Sequence, residues 1–134
     1  MAENSSNTAS GSHRSGAKRL IIMRHAEADW GLNDFDRPLT KRGHEQAAAA
    51  GAWLASRGYI PEQIMSSSAL RTRQTTTWVA DGLGSKAPTA HLDEGLYEVS
   101  AARIIARING VSENVHSLMV VSHLPGVQDA AQRL

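Results

Sequence analysis

Leu20-Ile21-Ile22-Met23-Arg24-His25 sets four consecutive apolar residues directly before two basic, chemically active ones. Such a run suits a strand buried on both faces, as in a parallel sheet covered by helices, and it delivers Arg24 and His25 to the strand's carboxyl end. Downstream, Thr40 is placed to cap a helix running to about Arg57, with Ala47, Ala50, Gly51 and Leu54 on one face and Gly58 as its stop. Ile64-Met65-Ser66 reads as a second strand. A helix starting near Ala69 carries Thr75, Trp78 and Val79 inward and ends in the turn at Gly82 to Gly84. Ala90-His91-Leu92 reads as a short strand, and Ser100 caps a helix with Ile104, Ile105 and Ile108 on one side. Leu118-Met119-Val120-Val121 is the clearest buried strand. This alternation predicts an α/β fold: a single three-layer domain whose central, mainly parallel sheet is flanked by helices.

Ligands in such sheets bind beyond the carboxyl ends of the strands. Arg24 and His25 follow the first strand, Ser66 to Arg71 the second, and Ser122-His123 the Leu118 to Val121 strand. Two His and two Arg are therefore expected on one sheet edge. A neutral imidazole has a lone pair with which to attack, and guanidiniums with a second imidazole can hold a tetrahedral dianion meanwhile. That is chemistry for phosphoryl transfer without a metal or cofactor.

Composition limits the alternatives. The chain has 134 residues, 14 Lys+Arg against 13 Asp+Glu, and 41% hydrophobic residues, the profile of one compact domain. A net charge of +1 without a block of like charges gives no reason to expect nucleic acid as a partner. The absence of Cys removes disulfides, zinc-thiolate sites and thiol nucleophiles together, and fits a cytoplasmic location. No apolar run approaches the roughly 18 residues of a membrane span, so no membrane partner is expected. Residues 1–17, crowded with Ser, Asn and Gly, offer too little to bury and are expected to form a disordered tail ahead of a domain spanning 18–134. Asp29, Asp34 and Asp36 lack the spacing of a calcium loop, and Asp36-Arg37 reads as a loop ion pair or a substrate-facing edge. Gly82-Leu83-Gly84 ends a helix instead of following a strand, which argues against a dinucleotide site. His13, His44, His91 and His116 read as surface residues, and Arg73 as a neighbouring or salt-bridging side chain.

Four blocks also match a known family. Leu20-Ile21-Ile22-Met23-Arg24-His25-Ala26 resembles the strand and RH(G/A) signature of the histidine phosphatase superfamily, with its phosphoglycerate mutase-like fold. Asp34-Phe35-Asp36-Arg37-Pro38-Leu39-Thr40, Ser66-Ser67-Ser68-Ala69-Leu70-Arg71, and Val120-Val121-Ser122-His123-Leu124-Pro125-Gly126 resemble its phosphohistidine phosphatase SixA branch. The resemblance implies His25 as the nucleophile that becomes phosphohistidine, Arg24 and Arg71 as the phosphate clamp, and His123 as the second imidazole on the transferring group. It implies Glu94 as proton donor, with Glu98 the runner-up. The implied activity is hydrolysis of phosphohistidine in proteins or of a small phosphomonoester. A phosphate-binding module without turnover is the alternative. His25 is expected neutral and His123 as a donor, hence in different protonation states, giving a bell-shaped pH profile. The family's proline in the second block is Ser68 here, and its usual Gly-His-Asn-Pro is Ser122-His123-Leu124-Pro125. The chain stops about ten residues beyond His123, where the family continues, so C-terminal elements are expected to be missing.

Overall fold

The computed structural model describes residues 18–31, 33–97 and 100–134; the expected tail over 1–17 lies outside them. Strands β1 (Arg19–Arg24), β2 (Gln63–Ser67), β3 (Ala90–Asp93) and β4 (Ser117–Ser122) form one sheet in the order β1-β4-β2-β3. Every pairing is parallel. Helices α1 (Lys41–Ser56), α2 (Leu70–Leu83), α3 (Ala101–Asn109) and α4 (Gly126–Arg133) flank it, the last of them an element not anticipated from the sequence.

The alternation of side chains along each strand divides the core into two halves. Ile22, Leu118 and Val120 pack with Leu96, Ile104, Val127 and Ala130 on the α3 and α4 side. Ile21, Met119 and Val121 pack with Ala47, Leu54, Val79 and Leu83 on the α1 and α2 side. Burial on both faces explains why residues 20–23 of β1 and 118–121 of β4 are apolar in succession instead of alternately. Thr40 caps α1 by accepting the Gly43 amide, Ser100 caps α3 by accepting that of Arg103, and Gly84 ends α2 at φ 97°.

Two details depart from the expected pattern. Trp78 is 37% exposed instead of inward, stacked on His44, and Ala50 is only partly buried. The inward face of α2 is instead rich in threonine. Thr72, Thr75 and Thr76 turn their hydroxyls back onto the carbonyls of Ala69, Arg71 and Arg73, so buried polar atoms are satisfied within the helix. Small residues bring α1 and α2 close: a Cβ at Gly51 would stand 2.1 Å from the Val79 carbonyl oxygen, and one at Gly82 2.2 Å from that of Ala48. Gly51→Ala is therefore expected to destabilise the fold by about 1–3 kcal/mol, despite alanine's better helix propensity, because backbone must move to admit the methyl. A urea melt measures this, and an unchanged or raised midpoint would show that the helices separate freely. Among the described residues, no helix is long and apolar enough to cross a membrane.

Candidate active site

The register of the sheet builds the site. Arg24 pairs with Ser122, so the next residues, His25 and His123, leave neighbouring strands side by side, and the His25 amide donates to the Ser122 carbonyl at 3.1 Å. Their ring centroids lie 5.4 Å apart, inclined at 58°. His25 Nδ1 lies 2.7 Å from the Ala26 carbonyl oxygen. Only a protonated Nδ1 can donate to a carbonyl, which leaves the lone pair of the neutral ring on Nε2. The Ala26 amide in turn donates to Thr75 Oγ1 on α2 at 3.0 Å, tying the loop after β1 to that helix.

His123 is buried, and its Nε2 lies 2.8 Å from Ser67 Oγ at the end of β2. Ser67 Oγ also accepts the Ala69 amide at 3.3 Å. With that contact made, Ser67 Oγ still has its own proton and one lone pair, so it meets His123 Nε2 in either neutral tautomer of the ring. His123 Nδ1 is buried with no partner. No base stands beside Ser66 to Ser68 in the sequence, yet the fold places one there. The contact crosses 56 positions, so no local signal could have shown it. Ser67 is fully buried, which keeps its oxygen away from an entering phosphoryl group.

Arg71, on the first turn of α2, is 5% exposed. Its Nη1 donates to the Asp34 carbonyl at 2.6 Å, its Nη2 meets the Asp34 carboxylate at 3.1 Å, and its Nε has no partner. Tyr97 also donates to Asp34 Oδ2, and its ring packs edge-on against His123 at 5.5 Å. Asp34 and Tyr97 are thus site residues that sequence reasoning missed. Arg37 pairs with Asp34 at 3.4 Å, not with the adjacent Asp36. Arg73 makes no ion pair among the described residues; its Nε donates to the Ser68 carbonyl at 3.0 Å, bracing the loop between β2 and α2. Arg24 stands exposed at the end of β1, lining a groove with Leu124, Val127 and Gln128. Glu94 opens a short 3-10 turn, is exposed, and makes no hydrogen bond or ion pair with His25, His123 or Arg71 among the described residues; Glu98 lies outside the described residues. The carboxylate that meets the cluster is that of Asp34. His44 is half-buried instead of on the surface, whereas His91 and His116 are exposed.

The model of the histidine phosphatase superfamily (branch 1) matches residues 20–123. The chain belongs to this superfamily. An uncharacterized protein of Mycobacterium tuberculosis is 39% identical to this histidine phosphatase-superfamily chain over 105 residues, covering 77% of it and 63% of the relative. An uncharacterized chloroplast protein of Arabidopsis thaliana is 32% identical over 131 residues, covering 88% of this chain and 59% of the relative. The chain thus spans about 60% of the length of these relatives. A solved structure of the protein histidine phosphatase SixA in complex with tungstate superposes with a TM-score of 0.79 at 30% identity, over 86% of this chain and 75% of that one. The phosphoglycerate mutase-like α/β architecture expected from the sequence is the one this superfamily member has.

Electrostatics in the superfamily site favour neutral imidazoles. Burial pushes the His25 pKa below its usual 6.5; the Ala26 carbonyl opposes that, and the positive charges of Arg71, Arg24 and Arg37 add to it. Burial, followed by Arg71 and His25, lowers His123 to about 4. Both rings are therefore uncharged at neutral pH, each with a single ring proton, and they charge only as the pH falls through the lowered values. An NMR titration of the imidazole resonances is expected to show His25 titrating below 6.5 and His123 near 4. Midpoints at or above 6.5 for either ring would contradict this account. Among the described residues, no group of three or more His, Cys, Asp or Glu side chains could hold a metal ion.

Proposed function

We propose that the chain is a phosphatase that takes a phosphoryl group from phosphohistidine in a protein, or from a related phosphomonoester, onto His25 and passes it to water. One observation carries this reading: Arg71 Nε and His123 Nδ1 are buried without partners, on side chains grouped around an imidazole whose Nδ1 is engaged and whose Nε2 bears the lone pair. A buried donor without an acceptor is costly, and a tetrahedral oxyanion supplies the acceptors. The tungstate held by the SixA relative is an oxyanion of that kind.

In the first step His25 Nε2 attacks phosphorus, a P–N bond forms, and the bond to the leaving imidazole breaks with its electron pair. Water then attacks the phosphoryl group on His25, the P–N bond breaks, and inorganic phosphate leaves. Arg71 holds the equatorial oxygens, the positive end of α2 faces them, and Arg24 adds charge at the rim. With Ser67 donating to Nε2, His123 donates from Nδ1 as a neutral ring, so the two imidazoles need not differ in charge. The pH profile accordingly needs only an acid limb from these rings, in place of the expected bell.

Neither carboxylate is a ready acid. Glu94 is exposed and makes no hydrogen bond or ion pair to the cluster among the described residues, and Asp34, bonded to Tyr97 and then to Arg71, is held at a pKa of about 2. An imidazole leaving group needs less help from an acid than an alkoxide does, which favours phosphohistidine over alkyl phosphates. Trp30 and Leu124, 83% and 43% exposed beside the catalytic loops, suit a site open to a protein side chain. A cytoplasmic location fits the absence of Cys.

The test compares phosphate release from a phosphohistidine-bearing protein with release from aryl and alkyl phosphomonoesters, with and without EDTA. Fastest release from phosphohistidine, unaffected by chelator, is expected. Turnover of small monoesters alone would make the chain a small-molecule phosphomonoesterase. Phosphate binding without any turnover would make it a binding module. Loss of activity in EDTA, restored by a divalent ion, would overturn metal-independent transfer.

A further inference from the structure

Ser67 and His123 meet at the ends of neighbouring strands. Ser66 pairs with Val121 in the sheet, which brings Ser67 of β2 and His123 after β4 to the same edge, with His123 Nε2 2.8 Å from Ser67 Oγ. Ser67 is fully buried and its backbone is fixed, because its carbonyl accepts from Ser66 Oγ at 2.8 Å and from Thr72 Oγ1 at 2.7 Å. Its hydroxyl has two partners among the described residues. One is the Ala69 amide at 3.3 Å, which can only donate. The other is His123 Nε2, so among the described residues that nitrogen is the one acceptor for the Ser67 proton.

Hydrogen-bond accounting separates the protonation states of the ring. Hydrogen on Nε2 would leave the Ser67 proton without an acceptor and the Nδ1 lone pair without a donor, two unpaired groups in a buried place. Hydrogen on Nδ1 pairs Ser67 with Nε2 and leaves a single group, the Nδ1–H donor, for a ligand to meet. An imidazolium fails on the same ground, since neither of its nitrogens could accept from Ser67. Burial, then the charges of Arg71 and His25, also hold this ring at a pKa of about 4 against the opposing charge of Asp34. Resting on the proposed phosphoryl-transfer reading, we propose that Ser67 is a positioning residue: its hydroxyl donates to His123 Nε2, holds the ring in the Nδ1–H tautomer and so presents a neutral donor to the phosphoryl oxygens. A phosphoryl dianion carries acceptors alone, so the other tautomer would set a lone pair against it. The edge-on contact of the Tyr97 ring with His123 holds the ring plane, and Ser67 sets where its hydrogen sits.

Heteronuclear NMR of isotopically labelled protein distinguishes a ring nitrogen that carries hydrogen from one that bears a lone pair, and His123→Gln assigns the signals. At neutral pH the parent is expected to hold the His123 hydrogen on Nδ1, both free and saturated with tungstate. In Ser67→Ala, which removes one oxygen, hydrogen is expected to appear on Nε2 of the free protein. Its kcat for phosphate release from phosphohistidine is expected to fall about tenfold with a cooperative melt retained, the scale of losing a partner that orients a functional imidazole. Ser67→Thr, which restores the hydroxyl, is expected to recover the Nδ1 tautomer and most of the rate. Hydrogen on Nε2 of the free parent, or on both ring nitrogens of the tungstate-bound parent, would overturn the proposal. A tautomer or a rate unchanged in Ser67→Ala would overturn it as well and leave Ser67 to packing. Loss of all turnover in folded Ser67→Ala would overturn it in favour of Ser67 as nucleophile. If Ser67→Thr does not fold, the tautomer and rate of Ser67→Ala decide. A parent that neither releases phosphate nor binds tungstate would overturn the phosphoryl-transfer reading along with the proposal, whereas a parent that turns over with hydrogen on Nε2 would overturn the proposal alone.

Discussion

His25→Ala is expected to abolish turnover, by about 10⁶-fold where a covalent nucleophile is lost, and to abolish covalent labelling with it. The expectation rests on a lone pair in a defined place. The Ala26 carbonyl fixes the ring tautomer, burial keeps the ring neutral, and Nε2 is the ring atom left to attack. Arg24 and Arg71 have no lone pair to offer. Ser67 is the one rival, because His123 lies 2.8 Å from its oxygen in the arrangement of a base and a nucleophile. Its complete burial argues against that role. The stability of the adduct separates the two: phosphohistidine is lost in acid and survives alkali, whereas phosphoserine behaves in the opposite way. An alkaline quench with labelled substrate, followed by peptide mapping, should place one phosphate on the peptide holding Arg24 and His25. A label on the peptide holding Ser67, or normal turnover by His25→Ala, would overturn the mechanism while leaving the fold intact.

Arg71→Ala should cost about 3 kcal/mol of transition-state stabilisation, on the order of 10²-fold in kcat, the effect typical of a lost oxyanion contact. Lysine should rescue little, because a point charge cannot reproduce two parallel N–H bonds from a planar fork. Removing a buried cation also threatens stability where its counterion is buried, but the Asp34 side chain is 45% exposed and water can take over its solvation. The variant is therefore expected to retain its far-ultraviolet circular dichroism spectrum and a cooperative melt while kcat falls. Equal loss of activity and of fold would assign Arg71 to structure, and an unchanged kcat would remove it from the phosphate seat.

The local code of the chain carried the frame and much of the site. Apolar runs at 20–23 and 118–121 are legible as buried strands because burial on both faces suppresses polar positions. Thr40 and Ser100 are legible as caps because a hydroxyl before a helix satisfies an amide a few residues away. His25, Arg71 and His123 could be assigned to one edge because strand polarity alone fixes where strand ends lie. Trp78 misled because α2 buries threonines where an apolar stripe was expected, their hydroxyls satisfied by the helix's own carbonyls. Glu94, in the segment the resemblance points to, is exposed and makes no hydrogen bond or ion pair to the cluster among the described residues, and the carboxylate bonded to Arg71 is that of Asp34, from a different loop.

Contacts of long sequence separation belonged to the tertiary structure alone. Ser67 meets His123 across 56 positions, Asp34 meets Arg71 across 37 and Tyr97 across 63. Each depends on the sheet order β1-β4-β2-β3, which puts β4 between two strands that are consecutive in the chain. Periodicity and capping act over a few residues and fix which elements form and which faces they bury. The choice of neighbour for a polar side chain at a strand end is made only when those elements pack, and that choice decides which donor of the site is left open for a ligand.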